Sequence, residues 1–123
     1  MIPIDKLPDF DWSDTARREI ALTGEELVSK SDVAYRIGNV CVAGLIYHSL
    51  LEPPWFWFAL AKGVTIGDLL DFRRFKESIP QGSLTSVDAG STRSLRFAQL
   101  YGFEDTGEER KHKGVTFKIF RRV

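Results

Sequence analysis

The stretch over residues 55–70 constrains the fold of this chain more than any other part of its sequence. It begins with six apolar residues, Trp55 to Leu60, continues through a turn that contains Gly63, and ends in a helical pattern. An apolar run without alternation is typical of a central strand that is covered on both faces. A strand that leads through a tight turn into a helix leaves backbone N–H groups at the positive end of the helix dipole. The sequence therefore predicts a junction suited to an anionic ligand.

The remaining elements predict a mixed α/β chain of the α+β kind, with a mostly antiparallel sheet flanked by helices. In chain order we expect a helical region over 14–29, strands over 33–37, 40–48 and 55–60, a helix over 65–79, a strand over 84–89, a helix over 92–101, and a C-terminal hairpin with arms over 103–110 and 115–121. The strand–helix–strand unit at about 55–89 predicts two parallel strands joined by a right-handed crossover. We expect a single domain over 1–123, with 1–12 irregular apart from a short edge strand at its start.

Several local signals refine these elements. Gly24 divides the first helical region, so a second short helix with Thr23 as its cap is an alternative to one continuous helix. Gly44, inside the strand over 40–48, predicts a bulge or a close approach of another group. The hairpin turn is expected at 111–114, where His112 would be exposed to solvent.

Charge and composition exclude several classes of function. The formal net charge is +0, which gives no electrostatic ground for nucleic-acid binding. No apolar run approaches the ~20 residues of a membrane span, and no signal-peptide pattern precedes the first helix, so we expect a cytoplasmic protein without a membrane partner. The single cysteine, Cys41, lies in an apolar run and reads as a buried strand residue rather than a nucleophile. Cys41 and the two histidines are too widely spaced to predict a metal site.

A family resemblance rests on the residues that follow the central strand. They read Lys62-Gly63-Val64-Thr65-Ile66-Gly67-Asp68-Leu69-Leu70. Together with the order of elements, this stretch resembles the GNAT N-acyltransferases, whose signature here is Gln/Arg-x-x-Gly-x-Gly/Ala followed by a helix. Lys62 stands at the first basic or amide position, Thr65 at the first Gly, and Gly67 at the Gly/Ala position.

A second motif extends the resemblance to roughly residues 33–123. The stretch over 91–103 resembles the family's Asn-x-x-Ala…Tyr…Gly-Phe helix, and Gly102-Phe103 match its end. Ser91 stands where Asn is usual, and Ala98 stands where the family usually has Tyr. The fold that the resemblance implies is GNAT-like.

The resemblance implies an acyl-CoA-dependent N-acyltransferase that moves an acetyl group from acetyl-CoA to the amine of a small molecule or a protein. In this family the turn N–H groups hold the coenzyme A pyrophosphate, and the strand before the turn pairs with pantetheine. Carried onto this chain, the cofactor-binding residues are Phe58, Ala59, Leu60, Lys62, Gly63, Val64, Thr65, Ile66, Gly67 and Ser91. No metal is implied.

Departures from the family pattern leave the activity weakened or lost. Thr65 adds a Cβ where the backbone approaches phosphate closely, and Thr65 with Asp68 fits a capped helix equally well. The family Tyr is commonly the general acid, which Ala98 cannot be. Tyr101, one helical turn later, is a substitute, with a buried aromatic residue as the alternative.

Candidate general bases are Glu52 and His48, which lie just before the central strand. Imidazole is an effective proton acceptor near neutral pH. A surface or structural role for His48 is the alternative, since it ends an apolar strand.

A second functional class stays open beside the enzyme. The amino-acid sequence as a whole also resembles small virion or head-associated proteins of tailed bacteriophages, which look like shortened members of the same fold. That resemblance implies a non-catalytic structural or interaction protein, located in the virion. Its partner would be a virion component or a second copy of the chain, contacted through Trp55 and Trp57 if one face of the strand is uncovered.

Overall fold

The protein is described by a computed structural model that covers residues 2–23, 26–38, 41–49, 51–63, 73 and 75–123. The strands are β1 (Ile2–Pro3), β2 (Val33–Ile37), β3 (Cys41–Ile46), β4 (Trp55–Leu60), β5 (Leu84–Asp88), β6 (Phe103–His112) and β7 (Val115–Arg122). The helices within this part of the chain are α1 (Asp14–Thr23), α2 (Glu26–Lys30) and α3 (Thr92–Leu100). The strands form one sheet in the order β1-β2-β3-β4-β5-β7-β6. The expected α+β class with a mostly antiparallel sheet is therefore confirmed.

The pair formed by β4 and β5 is the one parallel pair of the described sheet. Their register contains a single pair, Trp55 with Leu84, and the Leu84 N–H donates to the Pro54 carbonyl at 3.0 Å. On its other side, β4 pairs with β3 from its first residue to its last. The parallel relation predicted for the unit over 55–89 is confirmed, and the sheet opens between β4 and β5 beyond their first residues.

Each face of the sheet carries its own apolar cluster. Because side chains alternate along a strand, Phe56 and Leu60 of β4 point into a cluster that contains Phe97 and Tyr101 of α3 and its end. Trp57 points to the opposite face, where it packs in a second cluster with residues of α1 and α2. The prediction that the strand over 55–60 is covered on both faces is confirmed.

Side-chain caps mark the starts of α1 and α3. The Ser13 hydroxyl oxygen accepts the N–H of Ala16 at 3.2 Å at the start of α1, and the Ser91 hydroxyl accepts the N–H of Ser94 at 3.2 Å at the start of α3. Gly102 follows α3 with φ +80, as expected for a residue that ends a helix in the left-handed region.

The helical region expected over 14–29 contains α1 and α2, and residues 24 and 25, on which the expected division depends, lie outside the described residues. The capping role of Thr23 lies outside what the structure describes. The helix expected over 65–79 is described only in part. Its described helical residues are Arg73, Phe75 and Lys76, and residues 64–72 and 74 lie outside the described part of the chain.

The expected turn of the C-terminal hairpin was too long. Strand β6 continues to His112, and the turn consists of Lys113 and Gly114, whose φ angles are +48 and +81. Two positive φ angles are the requirement of the tight two-residue hairpin that matches strand twist. Lys111 and His112 are therefore strand residues, which changes where their side chains lie.

The strand expected over 40–48 ends at Ile46 instead of His48, Val40 lies outside the described residues, and the strand carries no bulge at Gly44. The close-approach alternative is confirmed there. A Cβ on Gly44 would lie 2.5 Å from Nε1 of Trp57, so the indole ring lies directly against the Gly44 backbone.

Candidate functional site

The edge of β4 that faces β5 is the first part of the candidate site. Backbone groups of alternate residues point to the same edge of a strand, and Pro54, Phe58 and Leu60 share this edge. Its first end is paired with β5 at Pro54. Its last end is covered by residues 11–13, because the Ser13 N–H donates to Leu60 O at 2.9 Å and the Lys62 N–H donates to Asp11 O at 2.7 Å. Phe58 lies between these two ends. No described residue forms a backbone hydrogen bond with Phe58 on this edge.

A cavity of about 410 Å³ adjoins this uncovered edge. Its walls come from α2, β4, β5 and the two strands of the hairpin: Leu27, residues 55–58, Ser86, residues 110–112, Phe117 and Ile119. The volume lies in the range of small-molecule sites, which are mainly apolar with a few polar groups that orient the ligand. The cavity has the size and the composition of a ligand site.

Arg110 provides the main polar contact at the cavity wall. Its Cζ lies 5.2 Å from the centroid of the Trp55 ring, within the range of a cation–π contact. Its Nε donates to Oε1 of Glu108 at 2.9 Å. His112 lies two residues further along β6, so it shares the strand face of Arg110. Both side chains are largely exposed, which leaves this wall accessible to solvent.

The charged side chains that line the cavity are positive, and the Glu108 carboxylate lies beside the wall in an ion pair with Arg110. Arg110 and Lys111 line it, and its described lining contains no aspartate or glutamate. The side chains of Trp55, Trp57 and Phe117 contribute to the apolar remainder. The wall therefore combines an apolar surface with a positive rim.

Trp57 connects the cavity to α2 through a chain of hydrogen bonds. Its indole Nε1 donates to Oγ of Ser31 at 2.7 Å, and the Ser31 hydroxyl donates to the carbonyl of Leu27. Both Leu27 and Trp57 line the cavity. These bonds fix the end of α2 relative to β4.

The carboxyl end of β4 brings together several residues that the sequence assigned to the cofactor. Nη2 of Arg93, near the start of α3, lies 3.4 Å from the carbonyl of Ala61, so the region of Ser91 adjoins the turn that follows β4. Lys62 and Gly63 are exposed there, and Gly63 has φ +73 with no atom within 4 Å of an added Cβ. The remaining turn residues, Val64 to Gly67, lie outside the described residues. Their role stays a prediction.

The three other cofactor candidates lie on β4 and differ in accessibility. Phe58 is half-buried, while Ala59 and Leu60 are buried on opposite faces of the sheet. Ser91 is buried, and its hydroxyl oxygen already caps α3.

The candidate catalytic residues are not brought together. His48 and Glu52 are exposed in the connection before β4, and neither lines the cavity. Tyr101 is 5% exposed, and its ring lies 4.6 Å from that of Phe97 in the core. Burial and the neighbouring Cys41 raise the pKa of its phenol, so Tyr101 fits the buried-aromatic alternative. Its role as an acid stays untested.

Cys41 is a buried strand residue, as expected. It is 1% exposed in β3, and burial raises the pKa of its thiol far above the ordinary value. A thiol held in its neutral form is a weak nucleophile.

Sequence reasoning missed Arg110 and His112. The expected turn at 111–114 ended the strand before His112, although the predicted exposure of His112 to solvent is confirmed. The signal that was present is Lys113-Gly114, a dipeptide that suits a two-residue turn and would have extended β6.

The described part of the chain contains neither a cluster of metal-binding side chains nor a membrane-spanning helix. Among the described residues, no three His, Cys, Asp or Glu side chains are grouped to hold a metal ion. No helix in the described part of the chain is long and apolar enough to cross a bilayer.

The chain was also compared with known proteins. It matches no protein family, no curated protein and no solved structure.

Proposed function

We propose that this chain is an acyl-CoA-dependent N-acyltransferase that transfers an acetyl group from acetyl-CoA to an amine. The observation that carries the proposal is the uncovered edge of β4 at Phe58, next to the cavity at the sheet opening. The GNAT resemblance places pantetheine on this strand and the acceptor at the α1–α2 region and the sheet opening. The cavity has walls from α2, β4 and β5, which supports that arrangement.

The reaction needs an amine, a thioester and two proton transfers. The amine nitrogen attacks the thioester carbonyl carbon, so the C–N bond forms and the C–S bond breaks. A base takes the proton from the amine, and the coenzyme A thiolate is released and protonated. The Phe58 N–H is positioned to polarise a carbonyl placed along the β4 edge. His112 is the described imidazole at the cavity and joins His48 and Glu52 as a candidate base.

Titration with acetyl-CoA tests the proposal. Binding to the folded state raises stability by RT ln(1 + [L]/Kd), about 2.7 kcal/mol at a hundredfold excess over Kd, so the melting temperature should rise by several degrees. Lys62→Ala should weaken binding, because it removes the positive charge of the turn. Thr65→Gly should strengthen it by removing a Cβ. The proposal fails if saturating acetyl-CoA produces neither a thermal shift nor heat of binding.

A specific observation favours a second candidate, the non-catalytic protein on the same scaffold. Residues 11–13 already pair with Leu60 and Lys62, which is part of the edge where the resemblance places the cosubstrate. Trp55 is half-buried rather than covered, as a partner surface requires.

This candidate predicts that acetyl-CoA does not bind. It also predicts that the protein associates with itself, or binds a virion component, through the surface around Trp55. Light scattering with Trp55→Ala as a variant measures the self-association. A monomer that binds acetyl-CoA would exclude this candidate.

A further inference from the structure

We infer that the cavity selects an acceptor that carries an aromatic ring and a carboxylate beside its amine, that is, an aromatic amino acid or a close analogue. The inference rests on the proposed function for the identity of the reacting amine. It follows from two properties of the cavity wall, its aromatic surface and the sign of its charge.

The aromatic surface favours a ring as the body of the ligand. Trp55 and Phe117 line the cavity and are only half-buried, so their surfaces remain in contact with solvent. Aromatic rings prefer offset or edge-on contact with one another, which adds to the burial of apolar area. A ligand ring in this cavity would cover surface that water covers in its absence.

The charge of the wall favours a carboxylate over a second ammonium group. Arg110 and Lys111 are positive, and Glu108, the acidic side chain beside the wall, does not line the cavity and is engaged by the Arg110 Nε. The Arg110 guanidinium is held by Trp55 and by the bond from its Nε to Glu108. These contacts leave its two Nη groups without a hydrogen bond to a described residue. A guanidinium in this state presents paired N–H donors that match the two oxygens of a carboxylate.

The positions of these groups suit the reaction. A carboxylate on Arg110 and a ring among the aromatic side chains place the ligand across the cavity, between β6 and β4. The Arg110 guanidinium lies against Trp55 of β4, so the α-amino nitrogen, one carbon away from the bound carboxylate, stays near β4, where the acetyl thioester is proposed to lie. The amine nitrogen forms the new C–N bond to the acetyl carbon, the C–S bond breaks, and coenzyme A leaves as the thiol.

Binding without any thioester separates this inference from the proposed activity. Three probes are used: L-phenylalanine, 3-phenylpropionate, which lacks the amine, and phenethylamine, which lacks the carboxylate. Calorimetry and tryptophan emission report binding, since Trp55 and Trp57 line the cavity. We expect the two carboxylates to bind at least about tenfold more tightly than phenethylamine, a ratio that one charge-assisted contact supplies.

A matched pair of variants tests Arg110. Arg110→Gln should weaken both carboxylate probes by about tenfold and leave phenethylamine unchanged. Arg121→Gln removes the same charge from an exposed position of β7 outside the cavity, and it should change none of the three affinities. Arg110→Lys retains the charge without the paired donors, so an intermediate loss is expected.

Each outcome decides. The inference is overturned if phenethylamine binds as tightly as the carboxylates, or if none of the probes binds. Binding in the expected order without acetylation of L-phenylalanine by acetyl-CoA upholds the ligand class and refutes the transferase. Acetylation of phenethylamine in preference to L-phenylalanine upholds the transferase and refutes the ligand class. If Arg110→Gln does not fold, the order of the three probes on the unaltered protein still decides.

Discussion

Gly44→Ala tests the packing that positions Trp57 at the cavity. A Cβ at this position lies 2.5 Å from Nε1, 2.6 Å from Cε2 and 2.7 Å from Cζ2 of the indole. The ring cannot move aside without loss, because Trp57 is 9% exposed and its Nε1 donates to Ser31. Alanine at position 44 must therefore displace the indole or separate β3 from β4.

The magnitude follows from three contributions. Overpacking a well-filled site costs about 1–3 kcal/mol. Loss of the indole hydrogen bond to Ser31 costs about 0.5–1.5 kcal/mol. Alanine inside a strand loses less conformational entropy on folding than glycine, which stabilises the folded state by about 0.5–1 kcal/mol and offsets part of this cost. The net loss is about 0.5–4 kcal/mol, and for a chain of this length the melting temperature should fall by about 2–16 °C.

Urea denaturation of Gly44→Ala, Trp57→Phe and the double variant forms a complete cycle. In the Trp57→Phe background the smaller ring relieves the clash, so Gly44→Ala should cost less than about 0.5 kcal/mol, the limit of additivity for uncoupled sites. Tryptophan emission of Gly44→Ala should also shift. Unchanged stability of the single variant, with unchanged emission, would show that the close approach does not exist in solution.

Two further predictions concern buried groups of the core. Thr85 is 1% exposed and its Oγ1 has no hydrogen-bond partner among the described residues, so Thr85→Val should leave the free energy of unfolding unchanged or raise it in urea denaturation. Thr85→Ser, which keeps the hydroxyl and loses the methyl group, should lower it by about 1 kcal/mol. Burial raises the pKa of the Cys41 thiol, so above its ordinary value the unfolded chain loses this proton while the folded chain retains it. The free energy of unfolding should therefore fall as the pH rises above about 9, by up to about 1.4 kcal/mol per pH unit from this group. In Cys41→Ala the fall should be smaller by that amount, and equal slopes for the two proteins would contradict the assignment.

Local signals in the sequence predict much of the fold. The unbroken apolar run at Trp55–Leu60 predicted the central strand. The helix expected over 92–101 matches α3, whose caps depend on residues within one turn of each other. The parallel relation of β4 and β5 followed from a helix-length connection between two strands.

The cavity could not be predicted in the same way. It joins Leu27, Trp55 and Arg110, which are distant in sequence and meet only through the order of strands in the sheet. The pairing of residues 11–13 with Leu60 and Lys62 has no local pattern either. Neither contact leaves a periodicity in the sequence, so both required the three-dimensional structure.

That pairing also has a consequence for the order in which the molecule assembles. Trp12 and Ala61 are 49 positions apart, and closing a segment of that length loses chain entropy before the contact contributes. The hairpin of β6 and β7 closes over only two turn residues and can form early. We expect the segment before α1 to dock late in folding and to open first under mild denaturant. Hydrogen exchange at the Ser13 and Lys62 amides would then report an opening that the rest of β4 does not share.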